Sequence, residues 1–206
     1  MSAVLELTET EEKISANSNA AYVKTPHRIT VETYDLMTKH GILTENDNVE
    51  LLNGEIIEKM AKGEKHAYFN DSITDFLGEK LGKNVIIRNQ NPILLNDFSK
   101  PEPDIVLCQP PRQKYLEKHP APADILLVIE VSDTTLQFDR REKGEAYSRA
   151  GIRQYLIVNV ENKTIEDYRQ PREDGFGTKQ TYQAGDKFAL DAFPEIEINV
   201  GDFLAV

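Results

Sequence analysis

The sequence has one cysteine, no long apolar run and no excess of basic residues, and each absence narrows the class of protein. Cys108 alone cannot form an internal disulfide, and with four scattered histidines it makes no zinc cluster of the usual spacing. The longest apolar run, residues 125–129, falls far short of the roughly 20 residues that cross a bilayer. The first residues, MSAVLELTETEEK, have no basic stretch ahead of an apolar one, so no secretion signal is predicted. A cytoplasmic protein with no membrane partner is expected.

The net charge of −11 argues against tight binding of nucleic acid, although its distribution weakens that conclusion. Residues 1–58 carry a net −7 and residues 161–206 a net −5, whereas residues 59–160 carry +1. The near-neutral centre does not exclude a phosphate backbone as a partner, but it offers little electrostatic attraction for one.

The length and composition are those of an ordinary globular protein with one domain. The chain has 206 residues, of which 39% are hydrophobic and 29% charged, and this is long enough to bury a core. Residues 1–25 lack an apolar period and mix Glu, Thr, Ser and Asn, which predicts a mobile acidic tail. Residues 26–206 are expected to form a single domain.

The N-terminal half of the domain predicts two helices around a β-hairpin. The hairpin signal is Asn53-Gly54, which lies between two short apolar runs. Each helix has apolar residues at helical spacing and ends at a glycine. The predicted elements are a helix over residues 31–39, the hairpin over 48–60 and a helix over 64–81.

The rest of the domain predicts strands interrupted by one further helix, over residues 138–150. We expect residues 85–88 and 92–95 to pair as neighbours, and the strands after Pro171 to form an appended β-layer. The predicted strands are residues 85–88, 92–95, 104–108, 124–131, 154–160, 164–168, 178–183, 187–190 and 196–200. This order indicates an α/β fold with a mixed β-sheet flanked by helices, an N-terminal hairpin and extra C-terminal strands.

Glu130 is the residue that most needs an explanation, because it follows five consecutive aliphatic residues in a strand that should be central and buried. By strand alternation it shares a face with Leu126 and Val128. An unpaired charge there is costly, so the carboxylate must be neutralised, paired with a cation or bound to a metal. The alternatives are that Glu130 lies at the exposed end of the strand or pairs with an arginine.

Asp104 opens the strand before that one, directly after Pro103. If the two strands are neighbours, their backbones run about 4.8 Å apart, so Asp104 and Glu130 could share one divalent cation. Two carboxylates and waters suit Mg²⁺ or Mn²⁺ better than zinc. The alternative for Asp104 is a turn residue after proline.

Lys143 lies on the predicted helix that follows Glu130, on one face with Asp139 and Tyr147. A lysine directed at a metal-bound carboxylate could orient or deprotonate an attacking water and stabilise a phosphorane-like transition state. The alternative is an exposed ion pair between Lys143 and Asp139.

Pro103-Asp104 followed by Glu130-Val131-Ser132 resembles the PD-(D/E)XK nuclease signature, whose fold is a four-stranded mixed sheet between two helices. The signature has lysine where this chain has Ser132, so activity requires Lys143 to supply the amine from the next helix, as happens elsewhere in that superfamily. More narrowly, the Uma-two family of restriction endonucleases is similar in VELLNGEI, His66, EPDIVL, LVIEVSD and FDRREKGEAYSRAGIRQYLIV. The resemblance runs over residues 29–168 and more weakly to 203.

The resemblance implies that Asp104 and Glu130 ligate the metal and that Lys143 completes the catalytic site. It also draws attention to five further side chains, which are Glu50 and Glu55 in the hairpin, His66, Gln90, and Asp139 as an orienter of Lys143. Ordinary alternatives are polar strand positions for the two glutamates and a surface or capping position for His66.

The function implied is a Mg²⁺- or Mn²⁺-dependent endonuclease that hydrolyses phosphodiester bonds in DNA. Candidate phosphate contacts are Arg140, Arg141, Arg149 and Arg153. Two alternatives stay open: a catalytically inactive nuclease-fold protein that binds nucleic acid or a protein partner, and an enzyme acting on a small phosphate ester. A homodimer could form through an exposed sheet edge or the C-terminal strands.

Overall fold

Helices and strands alternate between residues 26 and 205, which are the residues that the computed structural model describes. The acidic tail predicted for residues 1–25 lies outside them. In chain order the elements are α1 (Val31–Lys39), β1 (Val49–Leu52), β2 (Glu55–Glu58), α2 (Glu64–Leu81), β3 (Ile86–Asn89), β4 (Ile105–Cys108), β5 (Ile125–Ser132), α3 (Leu136–Phe138), α4 (Gly144–Arg149), β6 (Gln154–Asn159), β7 (Thr164–Arg172), β8 (Gly175–Tyr182), β9 (Lys187–Leu190), β10 (Phe193–Asn199) and α5 (Val200–Leu204). A π-helical turn, Asp139–Lys143, joins α3 to α4 in one continuous helix.

Six of the strands form one mixed sheet in the order β3-β4-β5-β6-β7-β8, and only β5 and β6 run parallel. A parallel pair cannot be joined by a tight turn, so the chain leaves β5, forms the α3–α4 helix and returns to the start of β6. This crossover carries the α3–α4 helix over one face of β5.

The two faces of the sheet are covered by different elements. On one face, Ile73 of α2 and Phe203 of α5 belong to a buried cluster with Ile129 of β5. On the other face, Tyr147 of α4 belongs to a second buried cluster with Val128 of β5. Each fully buried aliphatic side chain stabilises the fold by about 1.5–3 kcal/mol. The predicted α/β fold with helices on both faces is confirmed.

The β1–β2 hairpin turns at Asn53 and Gly54, as predicted, with φ values of 53° and 83°. Asn and Gly tolerate these left-handed values better than other residues do. The N–H of Lys100 donates to the carbonyl of Leu51 at 2.8 Å and ties β1 to the segment that leads into β4. The hairpin therefore sits beside the start of β4.

One predicted strand pair is wrong. Residues 92–95 form no strand, and β3 pairs with β4 instead. Pro92 has no N–H to contribute to a ladder, and the N–H of Ile93 donates to the carbonyl of Pro101 at 3.0 Å. The segment therefore folds back on the residues just before β4.

The C-terminal strands divide between two sheets rather than forming one layer. β8 pairs with β7 and extends the main sheet, whereas β9 and β10 form a separate two-stranded ribbon. Helix α5 was not predicted. No helix between residues 26 and 205 has the length and apolar character needed to span a bilayer.

Candidate active site

Asp104 and Glu130 lie opposite each other at the ends of β4 and β5. Ile105 pairs with Ile129, so the residue before the first and the residue after the second share a face of the sheet. The N–H of Val131 donates to Asp104 Oδ2 at 2.9 Å, and the N–H of Asp104 approaches Glu130 Oε2 at 3.4 Å. Both carboxylates are buried, at 6% and 3% exposure, and both line one cleft.

Lys143 and Tyr147 reach Glu130 from the α3–α4 helix. Lys143 Nζ donates to Glu130 Oε1 at 2.9 Å, and the Tyr147 hydroxyl donates to the same oxygen at 2.7 Å. The π-helical turn buries its two end residues, Asp139 and Lys143, while the three residues between them remain wholly or partly exposed. The wider turn, a feature that is frequent at functional sites, thus directs Lys143 toward β5.

Glu50 joins the site from the hairpin. Its Oε1 lies 3.4 Å from Lys143 Nζ, and its Oε2 accepts the N–H of Glu102 at 2.8 Å. Only 2% of Glu50 is exposed. Lys143 therefore lies between two buried carboxylates, one on β1 and one on β5.

His66 and Lys62 approach Asp104 from the other side. His66 lies in the first turn of α2, on the inner face that also carries Ile73, and its Nε2 is 3.0 Å from Asp104 Oδ2. Its Nδ1 is buried and has no hydrogen-bond partner within the described residues. Lys62, in the loop before α2, places Nζ 3.8 Å from Asp104 Oδ1.

Asp139 makes no hydrogen bond or ion pair with Lys143 in the described part of the chain, and its expected role as an orienter of Lys143 stays a prediction. Its Oδ2 accepts the hydroxyls of Ser132 and Thr135, each at 2.6 Å. Its backbone carbonyl accepts the hydroxyl of Tyr155 at 3.0 Å. The bond from Ser132 ties the start of the helix to β5, and the bond from Tyr155 ties it to β6. Asp139 thus helps to hold the helix that carries Lys143, and its charge is among those that raise the pKa of Lys143.

Glu55 and Gln90 lie outside the cleft. Glu55 pairs with Leu52 at the turn end of the hairpin, whereas Glu50 pairs with Ile57 farther from the turn. The side chain of Glu55 is exposed to solvent. Gln90 has a left-handed φ of 52° and an exposed side chain, and its backbone N–H bonds to the carbonyl of Asp104 at 3.0 Å. The turn after β3 therefore directs the Gln90 amide away from the site.

The four candidate phosphate-binding arginines also lie outside the cleft lining. Three of them form ion pairs, which are Arg140 with Glu166, Arg149 with Glu145, and Arg153 with Asp191. Arg141 is exposed. These arginines are therefore not part of the candidate site.

Glu166, on β7, accepts bonds from side chains of the α3–α4 helix, β7 and β8. Besides Arg140, it accepts the hydroxyl of Tyr168 at 2.6 Å and faces Lys179 Nζ at 2.9 Å. Although burial alone would raise the pKa of Glu166, the bonds from Arg140, Tyr168 and Lys179 lower it from 4.5 to about 2. This network stabilises the fold at a distance from the cleft.

The buried site holds more acids than bases. Although burial alone lowers the pKa of a lysine, Glu130 and Glu50 hold the pKa of Lys143 above its ordinary value. Burial raises the pKa of Glu130 well above its usual range. The charge of Lys143 lowers this pKa and that of Asp104 raises it, but burial has the largest effect. Burial opposes ionisation of Asp104 too, but its hydrogen bond with His66 brings the pKa of Asp104 below the ordinary value. Ionisation of Glu130 is therefore opposed by burial and by Asp104 and favoured by Lys143.

These buried groups form the floor of a cleft of about 580 Å³. Two further segments line it and are called its walls here: residues 57–63, and residues 133–135 with Phe138. Its charged lining consists of Glu50, Glu58, Glu102, Asp104, Glu130, Asp133 and Asp139, with Lys59, Lys62, Lys143 and His66. Seven carboxylates outnumber three lysines, so the cleft attracts cations.

The side chains present suit a Mg²⁺ or Mn²⁺ ion. Within residues 26–205 no three His, Cys, Asp or Glu side chains form a ready-made metal cage. Mg²⁺ does not require one, because it is commonly held by one or two carboxylates, waters and a substrate phosphate. Asp104 Oδ1 and Glu130 Oε2 have only long contacts, at 3.8 and 3.4 Å, so both oxygens have room for a ligand. A divalent cation would also offset the surplus of buried carboxylates.

Two residues near the site carboxylates, Tyr147 and Lys62, were not among the site residues predicted from the sequence. Tyr147 lies four residues after Lys143 on the same helix face, and this spacing is the signal that could have assigned it. Lys62 lies in a loop, where neither period nor alternation predicts the direction of a side chain.

Comparison with known proteins connects this site to a family. The family model described as Uma2, putative restriction endonuclease, matches residues 31–201. The crystal structure of a putative nuclease belonging to DUF820 from Anabaena variabilis ATCC 29413 has a similar fold, with a TM-score of 0.65 and 15% sequence identity over 86% of this chain and 98% of that chain. No curated protein matches. The structural likeness at this identity shows the fold alone, but the family model covers most of the domain. The chain therefore belongs to the Uma2 family.

Proposed function

We propose that this protein is an endonuclease that hydrolyses phosphodiester bonds in DNA with Mg²⁺ or Mn²⁺. The observation that carries the proposal is the meeting of Asp104, Glu130 and Lys143 in one cleft, from β4, β5 and the α3–α4 helix. Membership of a family described as putative restriction endonucleases agrees with it.

The two carboxylates are oriented for a ligand by the protein around them. Val131 and His66 occupy Asp104 Oδ2, whereas Lys143 and Tyr147 occupy Glu130 Oε1, which leaves the other oxygen of each carboxylate available. A divalent cation bound there would neutralise charge on the phosphate and ease deprotonation of the attacking water. In the hydrolysis, the water oxygen would bond to phosphorus as the bond to one sugar oxygen breaks. The water would release a proton to solvent, and the departing sugar oxygen would take one up from solvent.

Lys143 supplies a fixed positive charge in this proposal. Because it lies between Glu50 and Glu130, it keeps its proton, and this favours stabilisation of the charged transition state over abstraction of a proton from water. The lysine of the superfamily signature is replaced by Ser132, whose hydroxyl bonds to Asp139 instead.

The test compares isosteric variants in a nicking assay. Purified protein with Mg²⁺ or Mn²⁺ should nick plasmid DNA, and Asp104→Asn and Glu130→Gln should each abolish nicking. Glu55→Gln is the matched control, since it changes an exposed acid outside the cleft and should leave nicking unchanged. Nicking that survives both cleft variants would refute the assignment.

An inactive nuclease-fold protein that binds nucleic acid or a protein partner is the second candidate. Two observations favour it: Ser132 stands at the usual lysine position, and acids predominate in the cleft. Calorimetry separates the two candidates, because the proposed nuclease should bind Mn²⁺ in a manner that Glu130→Gln removes, and an inactive protein should not. The homodimer stays a prediction, which the molar mass in solution would test.

A further inference from the structure

The walls of the cleft carry apolar side chains above a charged floor. Ile57 of β2, Met60 of the segment between β2 and α2, and Phe138 at the end of α3 all line the cleft. Met60 is 60% exposed and belongs to neither of the two buried clusters, so its side chain is accessible to a ligand in the cleft. The walls therefore combine these apolar side chains with exposed charged ones, among them Glu58 and Asp133.

The reacting groups are recessed beneath these walls. Asp104, Glu130 and Lys143 are at most 8% exposed. The cleft volume of about 580 Å³ falls in the range of small-molecule sites, about 300–1,000 Å³. A phosphate on a paired, stacked strand would have to leave the duplex surface to reach this floor. A nucleotide without a partner strand could enter with its base between the walls.

The charges of the cleft also disfavour a duplex. Proteins that hold duplex DNA electrostatically neutralise several phosphates with lysine or arginine. Of the lysines in the cleft lining, Lys143 lies between Glu50 and Glu130, Lys59 pairs with Glu102, and Lys62 faces Asp104. With each lysine already facing a carboxylate, contact with bases must provide much of the binding energy.

We infer that the substrate enters the cleft as an unpaired nucleotide, its base held between Met60 and Phe138 and its phosphate at Asp104 and Glu130. This inference rests on the proposed nuclease function and adds the substrate class, single-stranded DNA or an unpaired stretch within a duplex. Contact between a base and an apolar or aromatic side chain tolerates every base, so little sequence preference is expected.

The first test uses oligonucleotides of one sequence offered as a single strand, as a full duplex and as a duplex with an unpaired bulge. With Mn²⁺, the single strand should be cut at least about tenfold faster than the duplex, and cuts in the bulged substrate should map to the unpaired nucleotides. Equal cutting of strand and duplex would overturn this inference and leave the nuclease proposal standing. Absence of both cutting and Glu130-dependent Mn²⁺ binding would overturn both.

The second test alters the walls. Met60→Ala should raise KM for the single strand by about tenfold, with kcat changed by less than about twofold, because it weakens binding and leaves the reacting groups in place. Phe138→Leu should raise KM too, but Phe138 also packs against the second buried cluster, so the split between KM and kcat is read from Met60→Ala. Leu116→Ala is the matched control, since Leu116 is 83% exposed and outside the cleft lining. An unchanged KM in Met60→Ala, whose exposed side chain can be shortened without a core cavity, would refute the role of the walls.

Discussion

Two buried tyrosines offer a matched test of how Glu130 is held. Tyr147 and Tyr155 are both 0% exposed, and their ring centroids are 4.9 Å apart. The Tyr147 hydroxyl donates to the carboxylate of Glu130 at 2.7 Å, whereas the Tyr155 hydroxyl donates to the backbone carbonyl of Asp139 at 3.0 Å. Replacing either tyrosine by phenylalanine therefore removes one buried hydroxyl. The two variants differ in the acceptor that loses its donor, which is a carboxylate for Tyr147 and a backbone carbonyl for Tyr155.

The two variants should differ in stability and, more sharply, in activity. A hydrogen bond to a charged group contributes about 1.5–3 kcal/mol and one to a neutral group about 0.5–1.5 kcal/mol. Tyr147→Phe should therefore lower the free energy of unfolding by about 2 kcal/mol, and Tyr155→Phe by about 1 kcal/mol. Loss of a bond that orients a metal-binding carboxylate commonly lowers activity by about 10–100-fold, so Tyr147→Phe should slow nicking to that extent. Tyr155→Phe removes one of the three bonds at Asp139 and leaves those from Ser132 and Thr135, so it should slow nicking less.

Urea unfolding without added metal measures the first quantity, and initial rates of plasmid nicking with Mg²⁺ measure the second. Burial raises the pKa of Tyr147 well above its ordinary value, so the hydroxyl remains a donor across the accessible pH range and the comparison can be made at neutral pH. Equal losses of activity in Tyr147→Phe and Tyr155→Phe would refute the reasoning, as would wild-type nicking by Tyr147→Phe.

Three further predictions concern other parts of the molecule. The pKa of Glu166 is about 2 in the folded protein against 4.5 ordinarily, so its stabilising effect is complete above pH 4.5 and is lost as the pH falls toward 2. In urea unfolding, the free energy of unfolding of the wild type should fall between pH 7 and pH 3. For Glu166→Gln this fall should be smaller by about 1–2 kcal/mol, after allowance for solvent screening. Glu195→Gln, on the exposed face of β10, should behave as wild type. Lys143→Met leaves two buried carboxylates without their cation, so it should abolish nicking and lower the free energy of unfolding by about 3–5 kcal/mol. Thermal melts of this variant should show a larger stabilisation by Mn²⁺ than those of the wild type. Ile73→Ala should lower the free energy of unfolding by about 2–5 kcal/mol in urea while calorimetry finds Mn²⁺ binding unchanged, because Ile73 is fully buried away from the cleft.

The elements that could be predicted from the sequence are those with local signals. Helices over 31–39 and 64–81 were found to the residue, because a cap, an apolar period and a terminal glycine act within a few residues of one another. The strand predicted at 92–95 failed because its hydrogen bonds go to distant partners, among them Pro101 and Pro120, which no local pattern shows. Partner choice is a property of the folded chain, and alternation of apolar residues reports only that a segment is half-buried.

The residues of the candidate site also differ in whether a local sequence pattern indicates them. Strand alternation and an apolar strand sufficed to single out Glu130, and neighbouring strands brought Asp104 beside it. Glu50 and Glu55 are indistinguishable in the sequence, since each is an acid in a short strand of one hairpin. Only the bridge between β1 and the segment before β4 makes Glu50 the buried one, 3.4 Å from Lys143.

Ser132, which stands where the signature that the sequence resembles has lysine, attaches the crossover helix to β5. Glu130 and Ser132 point to the same side of β5, and the short side chain of Ser132 leaves room for Asp139 to accept its hydroxyl. The bond from Ser132 holds the first turn of the helix against the strand, and the bond from Thr135 lies within that turn. The π-helical turn that begins at Asp139 ends at Lys143, 2.9 Å from Glu130. Under the proposed nuclease function, a lysine at position 132 would remove the bond that attaches the helix carrying Lys143, so the serine on the strand and the lysine on the helix would depend on each other.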